Sequence, residues 1–359
     1  MSNATSTRFF NGRIFTGDEW LNEAVITVNE GFIHSVHSDG YADKQQDLQG
    51  AMMVPAFIDI QIYGGNGQLF GVHPTVEALQ ATVDYSRAGG AHLILPTVAT
   101  NTNEVAFAAI DAVRQYWNAG GTGVFGLHLE GPFLNLLKKG AHTAEHLQEP
   151  DMENIRKLVD YGKGIVKMMT IAPELFSDEG LRYLQDAGII LSAGHSNATY
   201  EQAGQAFKKG IRTCTHLFNA MSSFQHRAPG LVGAIFDHPT VMSSMVTDGY
   251  HVDPAAMRIA KKIMGDRLFI ITDAVTTNNE GTYKHQLNGD RYTLPDGTLS
   301  GSALTMASAV CFSINRAGID DQEAFRMASL YPARVLGIDN EWGRIAPGYR
   351  AEWFLMQSL

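Results

Sequence analysis

A (β/α)8 TIM-type barrel with a small β-sandwich domain built from both chain ends is the fold this sequence of 359 residues predicts. Three observations carry that expectation. Eight short apolar runs alternate with helical segments through the middle of the chain. The two ends share a different, strand-like texture. The residues that close most of the apolar runs are His, Asp or Glu, the side chains that do chemistry.

The first 50 or so residues come first in the order of elements. "RFFNGRIFTG", "EAVITVNEGFIHSVHS" and "DLQGAMMVP" alternate apolar and polar positions between Gly and Asn turns, the period of short antiparallel strands. "GRIAPGYRAEWFLMQSL" at the far end repeats the pattern. Residues 1–52 and 337–359 are therefore expected to form one β domain split in sequence, and residues 53–336 the barrel.

Within the barrel segment the runs are "MVPAFIDI", "AHLILPT", "GVFGLHLE", "IVKMMTIAPE", "GIILSAGH", "IRTCTHLF", "VMSSMVTDG" and "RLFIITDA". Helices separate most of them. "TVEALQATVDYSRAGG" sets Val76, Leu79 and Val83 on one face and stops at a Gly pair. "TYEQAGQAFKKG" does the same with Tyr200, Ala203 and Phe207. "DPAAMRIAKKIMG" opens with Asp253 as N-cap and Pro254 in the first helical position. This alternation runs over roughly 280 residues, close to the ~250 usual for a (β/α)8 barrel. A doubly wound open sheet fits the alternation as well, but no Gly-x-Gly-x-x-Gly follows the first strand. The barrel is preferred.

Composition narrows the function classes. The chain is 45% hydrophobic and 18% charged, ordinary for a globular protein. Its formal charge of −10, with no basic stripe, argues against a nucleic-acid partner. No apolar run reaches the roughly 18 residues of a membrane span, and "MSNATSTRFF" lacks the features of a secretory signal. Two cysteines, Cys214 and Cys311, are too few for a disulfide framework. A cytoplasmic enzyme or binding protein is expected.

In a barrel of this kind the carboxyl ends of the strands build the site. Strand one ends at Gln61 and Tyr63, strand three at Glu130, strand five at His195 and strand six at His216. Strand seven runs out through Asp248 to His251, and strand eight stops at Asp273. Singly, each is more often a hydrogen-bonded structural residue. Jointly, Glu130, His195 and His216 supply one carboxylate and two imidazoles for a divalent ion, leaving open the position a catalytic metal needs. Such an ion lowers the pKa of bound water to about 7 and polarises a nearby carbonyl. Asp273 is then placed to take a proton from that water and to return it to a leaving group. The chemistry is hydrolysis of an amide or related bond, with water as nucleophile.

"PAFIDIQIYGG", "GLHLEGPFLN", "KGAH", "GHSNAT", "THLFNAM", "DGYHVDP", "TDA" and "TLSGSALTMASAV", in this order, resemble the N-acetylglucosamine-6-phosphate deacetylases of the amidohydrolase superfamily. The resemblance runs from about Asn11 to the C-terminus and takes in the split β domain. It implies that Glu130, His195 and His216 hold one divalent ion per subunit, zinc first, with iron, cobalt or manganese also tolerated by such ligands. It implies that Asp273 is the proton shuttle and that His142 of "KGAH" polarises the acetamido carbonyl. Ala141, Asn219 and Ala220 would line the sugar, and Leu299, Ser300 and Gly301 would close over it. His251 and Arg227 would meet the 6-phosphate, Arg227 from the neighbouring subunit of a homodimer. On its own terms Arg227 lies in the polar, turn-prone "SSFQHRAPG", and a guanidinium suits a phosphate.

Many amidohydrolases end strand one with His-x-His and bind two ions. Here those places are Gln61 and Tyr63, both poor ligands, and Lys167 sits mid-strand rather than at the end of strand four. A single-ion site is expected. Two further readings stay open: a related amidohydrolase acting on another N-acyl amino-sugar phosphate or a cyclic amide, and a barrel that has lost catalysis and serves as a binding scaffold.

Overall fold

The structure is a computed structural model and describes residues 4–357. Residues 1–3 and 358–359, the outermost parts of the two segments expected to form the β domain, lie outside the described residues.

All eight expected runs become strands of one parallel sheet: Phe57–Ile62, Ala91–Ala99, Leu127–Glu130, Val166–Ile171, Ile190–Ala193, Thr213–Cys214, Met242–Val246 and Leu268–Ile271. They neighbour one another in chain order. Strands such as Leu268–Ile271 are buried at every position, as expected where helices cover the outside and side chains fill the inside. Helices Val76–Ala88, Tyr200–Lys208 and Pro254–Met264 form where the apolar spacing puts them. Thr75, Thr199 and Asp253 cap them by accepting a backbone N–H of the first turn.

The barrel closes through side chains as much as through backbone. Strands one and eight share only a single parallel bridge, Ile62 to Ala274. Beside it the Asp273 N–H donates to the Gln61 carbonyl at 3.0 Å. The Tyr63 N–H donates to the Ala274 carbonyl at 2.9 Å, and Asp59 adds to these: it accepts from the Thr272 hydroxyl at 2.5 Å and the Thr272 N–H at 3.2 Å. A carboxylate in strand one thus does for strand eight what a ladder would do. The seam matters because Gln61 and Asp273, both of the functional rim, lie directly on it.

Both ends of the chain meet in a β-sandwich. Trp353–Met356 pairs antiparallel with Met52–Pro55, which runs parallel to Arg13–Phe15, with Trp20–Leu21 at the edge. The facing sheet is Phe32–His37, Ala24–Asn29, Thr5–Phe10 and Lys44–Asp47. Phe9, Ile14, Ile26, Ile33 and Met53 pack between them. One expectation needs correcting here. The run "MVPAFIDI" is two strands rather than one, Met52–Pro55 of the sandwich and Phe57–Ile62 of the barrel. The Ala56 N–H bonds Glu352 of the sandwich, and the next, Phe57, bonds Gly90 of the barrel. The chain changes partners within one residue.

After strand eight, Gln286–Asn288, Arg291–Thr293 and Leu299–Ser302 form a small antiparallel sheet. A parallel bridge from Ala274 to Ser302 holds it against the barrel mouth. Tyr292 of this sheet and Tyr283 just before it pack with Leu69 and Val275 in a cluster apart from the barrel core. Among the described residues no helix is long and apolar enough to cross a membrane.

Candidate metal centre and the cavity around it

Glu130 is the last residue of strand three, whereas His195 and His216 lie two residues beyond the ends of strands five and six. Asp273 stands in the same place after strand eight. At all three of these later positions the backbone is left-handed, with φ of 47° at His195, 39° at His216 and 54° at Asp273. Non-glycine residues avoid this region, at a cost of order 1–3 kcal/mol each. Three such residues on one rim mark a place where side-chain direction overrides local preference.

The result is convergence. Glu130 Oε1 lies 3.0 Å from His216 Nε2 and 3.2 Å from His195 Nε2, and the two Nε2 atoms are 3.1 Å apart. These three are the group among the described residues able to hold a metal ion together. His195 Nδ1 donates to the Lys138 carbonyl at 2.9 Å, so its Nε2 is a bare lone pair facing a carboxylate oxygen. His216 Nδ1 is buried without a partner among the described residues. Two acceptors held this close need a positive charge between them. Ligands in tetrahedral contact with a zinc-sized ion lie about 3.4 Å from one another, so a shift of a few tenths of an ångström would admit one. The donor set fits a divalent ion.

Electrostatics agree. Burial disfavours the Glu130 charge, yet its neighbours, with the hydrogen bond from His142 among them, hold its carboxyl well below the usual carboxylate range. Burial pushes the His195 imidazole down to about 4, which keeps it neutral and ready to ligate. Asp273 moves the other way: burial raises it, against the pull of His216 and His251. A raised carboxyl beside a ligand set is suited to carrying a proton.

Gln61 and Tyr63 occupy the remaining side. The Gln61 amide nitrogen lies 3.0 Å from Glu130 Oε1, 2.9 Å from Asp273 Oδ1 and 2.9 Å from the Tyr63 hydroxyl, which itself donates to Glu130 Oε2. Burial, with Glu130 and Asp273 alongside, keeps the Tyr63 phenol protonated far above its ordinary range. His142 completes the ring. Its Nδ1 accepts the Thr100 N–H at 3.3 Å, so its Nε2 carries the proton and donates to Glu130 Oε2 at 3.1 Å.

A single cavity opens over these groups, and Ala141, His142, Asn219, Ala220, His251, Leu299, Ser300 and Gly301 all line it. Arg227 is the exception: it is exposed, on the loop before the helix Gly230–Asp237. Other lining residues escaped the sequence reading. Leu69, Ala99, Val275 and Tyr283 make an apolar wall. Tyr283 donates to the Thr100 carbonyl at 2.5 Å, holding the residue whose N–H sets the His142 tautomer. His285 bonds Ser300 Oγ through Nδ1 at 2.9 Å, and burial pushes it down to about 4. The aromatic–polar alternation of "TYKHQ" was the only signal for this pair.

Comparison with known proteins places these features. The model of the amidohydrolase family matches residues 52–358. An N-acetylglucosamine-6-phosphate deacetylase of Haemophilus influenzae is 36% identical, over 93% of this chain and 91% of its own. An N-acetylgalactosamine-6-phosphate deacetylase of Escherichia coli O157:H7 is 30% identical, over 96% and 94%. Among solved structures, a mutant N-acetyl-D-glucosamine-6-phosphate deacetylase of Mycobacterium smegmatis, in complex with N-acetyl-D-glucosamine-6-phosphate, superposes with a TM-score of 0.88 at 29% identity, covering 98% of this chain and 94% of that one.

Proposed function

This chain belongs to the amidohydrolase family, and from that membership we propose that it hydrolyses the acetamide of N-acetylglucosamine 6-phosphate to acetate and glucosamine 6-phosphate. The observation that carries the reading is the convergence of Glu130 Oε1, His195 Nε2 and His216 Nε2, with Asp273 on the adjoining strand end.

Glu130, His195 and His216 would hold one divalent ion, which when bound supplies an acidified water and polarises a carbonyl. The chain's own groups do the rest. Asp273 accepts a proton as the water oxygen bonds to the acetamide carbon. The same proton then goes to the amine nitrogen as the carbon–nitrogen bond breaks, so acetate leaves one side and the free amine the other. His142 carries its proton on Nε2 inside the same cavity, where it can donate to the acetamide oxygen. The apolar wall of Leu69, Ala99, Val275 and Tyr283 suits the acetyl methyl and keeps bulk water away. Ala141, Asn219 and Ala220 would line the sugar, and Leu299, Ser300 and Gly301 would cover it.

The phosphate would meet His251 and, in a homodimer, the partner's copy of Arg227, which is exposed on its own subunit. The galactosamine epimer is the second reading, favoured by the Escherichia coli relative. Acetate release from both epimers, each with and without the 6-phosphate, tests the proposal. Activity is expected to be strong with phosphorylated sugar and weak without the phosphate, lost on exhaustive chelation and restored by a divalent ion. Full turnover by the metal-stripped enzyme would overturn it. Arg227→Ala is expected to raise KM for phosphorylated substrate while leaving the weak reaction of its unphosphorylated counterpart unchanged.

A further inference from the structure

We propose that the amino-terminal end of the barrel, away from the metal centre, holds a second binding site, one for the phosphate group of a small anion. The inference uses none of the residues assigned to hydrolysis and stands apart from that reading.

A cavity of about 400 Å³ opens at this end, against about 180 Å³ for the one over the metal centre. Small-molecule sites run to roughly 300–1,000 Å³. Ile190, Thr213 and Met242, the first residues of strands five, six and seven, line it. So does the end of the helix Leu330–Leu336, through Arg334, Leu336 and the Gly337 that caps it. Ile189, Leu191 and Val335 add apolar surface for whatever body the phosphate carries.

The charge of this cavity is one-sided. Arg212 and Arg334 both line it, and among the described residues no Asp or Glu does. The chain as a whole carries a formal charge of −10. Arg212 is exposed in the turn before strand six, and its side chain has no hydrogen bond or ion pair among the described residues. Arg334 spends one nitrogen on the largely exposed Asp266, at 2.9 Å, and lies 5.0 Å from the Tyr331 ring. Those two contacts fix its place and leave its other nitrogens as donors. The helix end does not repel an anion with bare carbonyls, because the Gly337 N–H takes up those of Ala333 and Arg334. Cations without matching acids attract an anion, and a guanidinium fork fits two phosphate oxygens at once.

A second observation points the same way. Thr213 is 1% exposed, and its hydroxyl is buried without a partner among the described residues. Buried hydroxyls normally have one. Two residues on, Thr215 shows the contrast, its Oγ1 lying 2.6 Å from Ser192 Oγ and 2.7 Å from Thr170 Oγ1. Thr213 borders the cavity instead, where a ligand oxygen would complete it.

The test is residue-resolved and uses the full chain in phosphate-free buffer. Phenylglyoxal modifies arginines, and peptide mass spectrometry follows each one separately. Millimolar inorganic phosphate or phenyl phosphate is expected to slow modification of Arg212 and Arg334. Arg258 and Arg316, exposed elsewhere, should react as before. In Arg212→Ala, protecting Arg334 should take about 10–100-fold more phosphate, the worth of a hydrogen bond to a charged group. Thr213→Val should take about 3–10-fold more, the worth of a neutral one. Acetate release without added phosphate should be unchanged in both variants. Protection at lower concentration by phenyl phosphate assigns the site to phosphate esters, and equal midpoints assign it to free phosphate. Unchanged modification rates at Arg212 and Arg334, or equal midpoints for Arg334 in wild type and Arg212→Ala, overturn the proposal. Should a variant fail to fold, protection in wild type decides. Arg227 reports separately on the substrate's phosphate, so protection of Arg227 alone would sink this site and leave the substrate reading intact.

Discussion

Asp248 receives the Nδ1–H of His251 at 2.6 Å, and its other oxygen accepts the backbone N–H groups of Tyr250 and His251 at 2.8 Å each. Burial opposes a charge on Asp248, but His251 holds its carboxyl below the usual range. The carboxylate thus fixes one tautomer of His251 and aims Nε2 at the cavity, 3.8 Å from Asp273.

Asp248→Asn keeps an oxygen for the two backbone donors but presents an amide NH2 to His251 Nδ1. The imidazole must turn or change tautomer. kcat/KM is expected to fall by about 10–100-fold, the worth of one hydrogen bond to a charged group, with the melting temperature nearly kept. Steady-state kinetics beside thermal melts check it, and an unaltered kcat/KM would remove His251 orientation from the reaction.

Asp273→Asn retains an oxygen for hydrogen bonding and loses the ability to carry a proton. Turnover should drop by about 10²–10⁴-fold, the range of a single general acid–base group, while KM changes little. If turnover is unchanged, another group moves the proton.

Asp59 makes a prediction about stability rather than rate. Burial pushes it to about 7 in the fold, against the hydrogen bonds of Thr272 and Gln61, from about 3.9 in an unfolded chain. A carboxyl raised on folding holds its proton more tightly when folded. Its stabilising contribution is therefore complete below about pH 4 and is lost as pH climbs toward about 7. The span corresponds to a few kcal/mol, on the order of 4 at most. Asp59→Asn accepts the same two N–H groups without titrating. Denaturant melts at pH 5 and pH 8 should show wild type losing more stability than the variant between the two. Equal losses would assign the seam between strands one and eight no such burden.

Much of this was legible before any coordinates. The eight apolar runs, the split sandwich and the three helix starts at Thr75, Thr199 and Asp253 follow from local spacing and capping, which act over a few residues. Glu130, His195, His216 and Asp273 were legible because each closes or follows a run with nothing else to explain it. Tyr283 and His285 were not. They lie in an irregular stretch after strand eight, and only the bridge from Ala274 to Ser302 swings that stretch over the cavity. The break at Pro55 was missed because both halves of "MVPAFIDI" are equally buried.

The kind and order of groups on the rim are written into the chain, because a strand–helix repeat sends every strand the same way and brings all eight carboxyl ends to one face. The tertiary structure alone decided that Glu130, His195 and His216 meet within 3.0–3.2 Å, and that Gln61 offers them nitrogen rather than oxygen. Those distances join residues up to 212 positions apart, as between Gln61 and Asp273. They depend on strand register and on left-handed turns at His195, His216 and Asp273. Local preference disfavours such turns. Only packing against the rest of the barrel can impose them.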